Sequence, residues 1–111
     1  MRDLLARATT DSRAAEAVEL FCYLAKKFLG ALAAVLGGLD VLVFAAGIGE
    51  NAPEVRRRIC DGMGYLGLFV DAQRNGANAR LISTPESATS IRVIATNEEL
   101  MIARHTIAVI G

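Results

Sequence analysis

The chain has 111 residues, a length that predicts one domain with a hydrophobic core. Lys plus Arg and Asp plus Glu both number 12, aromatic residues make up 5%, and tryptophan is absent, so the sequence offers neither a basic field nor a base-stacking surface for nucleic acid. Lys26, Lys27 and Asp40 interrupt the apolar stretches, and no membrane-spanning helix is predicted.

The first third of the chain favours two helices. Residues 1–7 predict a short helix, and a long one should begin after an N-cap at Asp11 or Ser12 and end near Leu36, before two glycines. Spacings of three and four predict an inward stripe on the long helix: Val18, Phe21, Cys22, Ala25, Leu29, Leu32 and Leu36.

Two β-branched runs predict the main strands. Residues 40–46, DVLVFAA, are apolar on both faces and favour a central strand, and residues 91–96, IRVIAT, favour a second one. Residues 68–71 are a possible edge strand, and a brief strand is predicted at Leu81 and Ile82.

Helices and a loop fill the rest of the chain. Residues 53–64 predict a short helix, residues 72–90 a polar surface loop, and residues 97–109 a last helix capped by Thr96. The alternation of helices and strands predicts an α/β fold with parallel strands and right-handed crossovers.

The two cysteines, Cys22 and Cys60, form neither a C-x-x-C pair nor a Cys/His cluster, so we predict small buried apolar side chains and no metal site. The N-terminus lacks the basic-then-apolar pattern of a signal peptide, and a cytoplasmic location is predicted.

Residues 44–55, FAAGIGENAPEV, form a glycine turn with three possible roles. It could be a simple strand-to-helix connection, a nucleotide loop, or the dinucleotide fingerprint spelled Gly47, Gly49 and Ala52, with Asp71 as the ribose acid. Against the fingerprint, a cap at Asn51 and a proline shortly after it start the helix too late to place free N–H groups on a pyrophosphate.

A second polar segment, residues 95–104 (ATNEELMIAR), follows the second strong strand. With Thr96 as N-cap, Glu99 can close a capping box, which leaves Glu98 either to stabilise the helix start or to approach Mg²⁺ with its phosphate-bound waters. Because ligands of open α/β sheets bind at the carboxyl ends of parallel strands, the two segments together predict an anion site.

The segments AAGIGEN, PEVRRRIC, STPES and VIATNEELMIARHT resemble the C-terminal end of the acetate kinase family, and the likeness extends over essentially the whole chain. The resemblance implies a sugar kinase, Hsp70 and actin type of fold, with residues 1–111 as part of its C-terminal RNase H-like domain. It also implies phosphoryl transfer between ATP and acetate, giving acetyl phosphate and ADP, and a homodimer formed through that domain.

Position by position, the resemblance implies an ATP/ADP contact at Arg2 and magnesium at Glu98, with a nucleotide loop made of Gly47, Ile48, Gly49, Glu50 and Asn51. The family's catalytic residues match nothing in this chain, which corresponds to about the last quarter of such an enzyme. We therefore expect no turnover from the isolated chain.

Several details limit the resemblance. Ala45 and Ala95 replace a common threonine and proline, and propionate and butyrate kinases share the fold, although Asn97 favours acetate. His105 is predicted to pack on the last helix, and residues 56–58 to form a solvated or subunit-facing patch. An NAD-binding fragment and a non-catalytic dimerisation module remain alternatives.

Overall fold

A computed structural model of the chain describes residues 2–45, 52–94 and 106–110. These residues form an α/β fold around a three-stranded parallel sheet with the strand order β2-β1-β3. The elements in chain order are α1 (Arg2–Arg7), α2 (Ser12–Leu36), β1 (Val41–Ala45), α3 (Pro53–Cys60), a 3-10 turn (Gly64–Leu66), α4 (Ala72–Gly76), β2 (Ser90–Ile94) and β3 (Thr106–Ile110).

Helix α2 begins and ends as the sequence predicts. The Asp11 carboxylate accepts a hydrogen bond from the Arg13 N–H at 2.9 Å and one from Arg7 at 3.1 Å, and these bonds lower the pKa of Asp11. At the other end, Gly37 has the left-handed φ of 81° and donates to the Ala33 carbonyl.

Within the described residues, no helix has the length and apolarity that crossing a membrane requires.

The buried stripe of α2 differs from the prediction in its second half. Leu32 and Leu36 are 45% and 37% exposed, and Ala33 is buried in their place. Apolar side chains surround this part of the helix, so the sequence pattern alone does not select the inward face. The buried residues of α2 are Ala14, Val18, Cys22, Leu29 and Ala33.

Strand β1 is central, as predicted, and pairs in parallel with both neighbours. Leu42 to Ala45 are all buried, which means that both faces of the strand are covered. On one face, Leu42 and Phe44 lie beside Ile91 and Val93 of β2. These four side chains share the hydrophobic core with residues of α2 and α3, among them Val18, Leu29, Val55 and Ile59.

The predicted last helix is wrong at its C-terminal end. Residues 106–110 form strand β3, with Thr106 opposite Val41 and Ile110 opposite Ala45. Four of the five residues in TIAVI are β-branched, and such side chains favour strands over helices. The rest of the predicted helix, including Thr96 and His105, lies outside the described residues.

The segment between α3 and β2 also departs from the prediction. Residues 68–71 form no strand beyond a single antiparallel bridge from Val70 to Ser83, and Leu81 makes one such bridge to Arg92. The predicted polar loop contains helix α4, which Asp71 caps by accepting from the Arg74 N–H at 3.0 Å. Asp and Asn are common both in turns and at helix caps, so a short capped helix in a polar segment is easily mistaken for a loop.

A buried hydroxyl joins the 3-10 turn to the sheet. Thr89 is fully buried, and its Oγ1 donates to the Leu39 carbonyl at 2.8 Å and lies 3.2 Å from that of Leu66. Its N–H donates to the carbonyl of Gly67, which has φ 81°, and a Cβ built there would lie 2.8 Å from the Ala88 Cβ. The backbones approach so closely here that glycine is required.

The change Thr89→Val keeps the side-chain shape but removes the donor to these buried carbonyls. We expect the free energy of unfolding to fall by about 1 to 3 kcal/mol, as for a buried polar group that loses its partner. Urea denaturation followed by circular dichroism measures the change. The matched control is Thr10→Val on the exposed surface, which should change stability by less than about 0.5 kcal/mol; equal effects would contradict the assignment.

Candidate functional site

The carboxyl ends of β1 and β2 lie side by side. Ala45 and Ile94, the last residues of the two strands, are register partners in a parallel pair, so the chain leaves both strands at the same edge of the sheet. Residues 46–51 follow one strand and residues 95–105 follow the other. This adjacency confirms that the two predicted strands end at one edge of the sheet, and the anion site there stays a prediction.

Most of the predicted site residues lie outside the described residues, and their roles stay predictions. They are Gly47, Ile48, Gly49, Glu50 and Asn51 for the nucleotide and Glu98 for Mg²⁺. Arg2 is the first residue of α1, and its predicted nucleotide contact stays a prediction as well.

Helix α3 begins at Pro53, as predicted, and ends at Cys60, before the predicted end at Gly64. Its N-cap is Ala52, which has no capping side chain, and Pro53 occupies the first turn, where its missing N–H costs nothing. The predicted cap at Asn51 is therefore wrong. The Glu54 carboxylate accepts from Arg57 at 2.6 and 3.1 Å and from Arg58 at 2.9 Å.

These contacts explain the ionisation of Glu54. The hydrogen bonds from Arg57, followed by those from Arg58, outweigh the effect of partial burial and lower the pKa of Glu54 to about 2. Since the Glu54 side chain is 42% exposed, solvent screens the ion pairs and limits their contribution to stability.

The prediction that residues 56–58 form a solvated or subunit-facing patch is wrong for Arg56, which is fully buried. Its Nε donates to Asn75 Oδ1 at 2.7 Å, and its Nη2 donates to the Asn75 carbonyl at 2.9 Å and to Asn78 Oδ1 at 2.6 Å. Burial lowers the pKa of Arg56. Arg57 is exposed and Arg58 half-buried, as expected for neighbours that point in different directions around a helix.

Sequence reasoning missed the network of Arg56, Asn75 and Asn78, although two signals exist. Three consecutive arginines on a short helix spread over most of its circumference, so one of them has to face the protein. Asn78 adopts φ 53°, a conformation that asparagine tolerates better than most residues, within an Asn- and Gly-rich turn.

The described structure does not place Asp71 and Ala52 as a dinucleotide site requires. Asp71, the proposed ribose acid, caps α4 and follows only an isolated bridge at Val70, so it does not stand at the end of a sheet strand. Ala52 is buried, as the third residue of the fingerprint should be, but α3 begins only after it. The described residues therefore do not favour this alternative.

Both cysteines are buried, as predicted. Burial raises the pKa of Cys22 and raises that of Cys60 to about 12. In the part of the chain that the structure describes, no three His, Cys, Asp or Glu residues group closely enough to bind a metal ion.

A surface cleft of about 470 Å³ lies between α2 and α3. Its charged residues have both signs: Lys26, Arg57 and Arg58 against Glu19 and Asp61. Lys26 also donates to the Asp61 carbonyl at 2.6 Å. This mixed lining does not select an anion.

Comparison with known proteins identifies the family. The model of the acetokinase family matches residues 1–104. The chain belongs to the acetokinase family. It is 51% identical over 111 residues to an acetate kinase of Rhizobium meliloti and 45% identical over 104 residues to one of Coprothermobacter proteolyticus. It covers 28% and 26% of these proteins and thus spans about a quarter of the length of the curated relatives it matches.

Solved structures of acetokinase relatives share the fold. The acetate kinase of Porphyromonas gingivalis superposes with a TM-score of 0.81 at 35% identity, over 86% of this chain and 25% of that one. A propionate kinase of Francisella tularensis gives 0.76 at 37% identity, over 86% and 25%. The α/β class and the actin-like ATPase fold implied by the resemblance are confirmed.

Replacement of Glu54 by glutamine tests the ion pairs at the start of α3. Because the folded-state pKa is lowered, the carboxylate stabilises the fold above about pH 4.5, and this contribution disappears as the pH falls towards about 2. We expect Glu54→Gln to lower the free energy of unfolding by about 0.5 kcal/mol at pH 7, and wild type and variant to converge in acid.

Urea denaturation at a series of pH values measures this difference. The control is Glu86→Gln, since Glu86 is exposed and makes no ion pair among the described residues. A difference between wild type and Glu54→Gln that persists at pH 2 would contradict the role of the carboxylate charge.

Proposed function

We propose that the chain is the nucleotide-binding part of an acetate kinase. The observation that carries the proposal is the parallel pairing of Ala45 with Ile94, from which the segments GIGEN and TNEE continue at one edge of the sheet. Two strand ends at a common edge are the usual location of nucleotide sites in open α/β sheets.

In this proposal the loop of Gly47 to Asn51 binds ATP or ADP, and Arg2 adds a contact. Glycines without Cβ atoms let backbone N–H groups approach phosphate oxygens. Glu98 approaches Mg²⁺, because a carboxylate beside a phosphate requires a cation between them. Mg²⁺ would neutralise charge on the transferred phosphoryl group.

The reaction proposed for the whole enzyme is phosphoryl transfer between ATP and acetate, giving acetyl phosphate and ADP. Such transfer depends mainly on positioning and charge neutralisation, so a part that binds the nucleotide contributes without supplying a catalytic side chain. We assign no catalytic residue to this chain and propose that it has no turnover alone. Its location is proposed to be cytoplasmic.

The acyl substrate is proposed from one residue. Asn97 favours acetate. Propionate remains an alternative because of the likeness to a propionate kinase at 37% identity, and butyrate remains one because butyrate kinases share the fold. The kinase class therefore rests on more residues than the choice of acid.

We also propose a homodimer through α2. A row of exposed apolar side chains, which we name the α2 ridge, runs along the helix at spacings of four: Leu20, Leu24, Phe28, Leu32 and Leu36. The row reads the same in both directions about Phe28, which is 65% exposed. A two-fold axis at Phe28 would therefore place leucine against leucine on both sides.

This symmetry favours a second copy of the chain as the occupant of the α2 ridge. A two-fold interface requires a self-complementary patch, and rows of residues four apart pack against each other at about −50° in helix pairs. A helix with apolar side chains all round is typically buried on every side.

Titration with ADP tests the nucleotide proposal. Isothermal calorimetry of the chain with ADP and Mg²⁺ should give weak binding that EDTA reduces, while NAD gives no signal. Glu98→Gln should abolish the magnesium-dependent gain in affinity. The control is Glu99→Gln, because glutamine also closes a capping box; NAD binding without an ADP response would reject the kinase proposal.

Phe28→Glu tests the dimer. Buried acids at a two-fold axis repel each other, so the variant should sediment as a monomer at concentrations where the wild type is a dimer. The control Tyr65→Glu changes an exposed aromatic residue outside the α2 ridge and should leave the dimer intact. A monomeric wild type, or a dimer that survives Phe28→Glu, would contradict the proposed interface.

A further inference from the structure

Residues 71–82, which we name the bridging segment, are anchored to strand β2. The Ile82 N–H donates to the Ile91 carbonyl at 2.9 Å, and the Val93 N–H donates to the Arg80 carbonyl at 2.8 Å. The Asp71 N–H donates to the Ile82 carbonyl at 2.7 Å and closes the segment on itself. The bridging segment therefore follows β2 close to the end of that strand.

The same segment contacts the first turns of α3 through Asn75. This side chain is buried, and its Nδ2 donates to the carbonyl of Pro53, the first residue of α3, at 2.9 Å. Arg56 donates to the side chain and the carbonyl of Asn75 at 2.7 and 2.9 Å. Three hydrogen bonds thus join one turn of α3 to one residue of the bridging segment.

The chemistry of Arg56 makes this junction rigid. A buried guanidinium needs hydrogen bonds to replace those it made to water, and its N–H groups donate only in fixed directions within one plane. Asn78 meets two demands at once, because its Oδ1 accepts from Arg56 at 2.6 Å while its backbone takes φ 53°. Few residues other than Asn, Asp and Gly adopt that backbone conformation readily.

We propose that Arg56, Asn75 and Asn78 are positioning residues of the nucleotide site. They fix the start of α3, where residues 46–51 rejoin the described structure, relative to β2, from which residues 95–105 continue. The network thereby holds the start of α3 in a fixed place relative to the end of β2. The nucleotide itself rests on the proposed function, whereas the positioning can be tested without it.

Two substitutions at Asn78 separate positioning from folding. Asn78→Gly keeps the left-handed backbone and removes the acceptor for Arg56, whereas Asn78→Asp keeps the acceptor and adds a charge that pairs with Arg56. The control is Arg74→Gln, which removes an exposed positive charge from the bridging segment and leaves the ion pairs at the start of α3 intact.

Hydrogen exchange of the backbone amides, followed by mass spectrometry without nucleotide, is the measurement. We expect Asn78→Gly to speed exchange in residues 52–57, at the start of α3, on the order of tenfold, as for a local opening that loses one charge-assisted bond. Exchange in β1 and α2 should not change. Asn78→Asp and Arg74→Gln should match the wild type.

Two results would overturn the proposal. One is unchanged exchange in residues 52–57 of Asn78→Gly, and the other is an equal increase in β1, which would mean a general loss of stability. Where the wild type binds ADP with Mg²⁺, Asn78→Gly should bind it several-fold more weakly and Asn78→Asp should restore the affinity. A wild type that does not bind ADP would contradict the proposed function. The positioning role is tested by the exchange pattern alone, which requires no nucleotide.

Discussion

The parallel pairing of β1 with a strand on each side is the constraint on which the rest of the structure depends. Parallel neighbours cannot be joined by tight turns, so the chain has to travel back across the sheet between strands, and the intervening helices cover the apolar faces. The carboxyl ends of the three described strands therefore lie at one edge. The same pairing that buries Leu42 and Phe44 brings Ala45 beside Ile94, and the two candidate ligand segments follow these residues in the sequence.

Polar groups inside the molecule complement this apolar frame. Thr89 joins the 3-10 turn to the backbone before β1, and Arg56 joins α3 to the bridging segment. Both side chains are fully buried and make hydrogen bonds. Apolar contacts alone are not directional, whereas a buried guanidinium permits few arrangements of its partners. The apolar core supplies most of the stability, and these contacts define how its elements are aligned.

Local signals made much of the fold predictable. Asp11 and Gly37 mark the ends of α2 by cap chemistry, and the β-branched runs mark β1 and β2. Where the choice depended on distant contacts, prediction failed: Ala33 is inside in place of Leu32, and residues 106–110 pair with β1 where a helix was expected.

The candidate site also has a part that the sequence predicts and a part that depends on distant contacts. Its frame follows from the parallel pairing of β1 and β2, which the alternation of helices and strands predicts, and the similarity to acetate kinases shows the family. Arg56 could not be placed from the sequence, because its burial depends on acceptors 19 and 22 residues further along the chain. The loop of Gly47 to Asn51 and Glu98 remain predictions that rest on motif and resemblance.

The burial of the two thiols has a practical consequence. Alkylating reagents attack the thiolate, and a thiol that is both inaccessible and hard to ionise reacts only when the core around it opens. Cys22 on α2 and Cys60 on α3 belong to one core cluster, so their rates of modification would report how often these helices separate. A single cysteine introduced on the surface could meanwhile carry a fluorescent or spin label without replacement of the native pair.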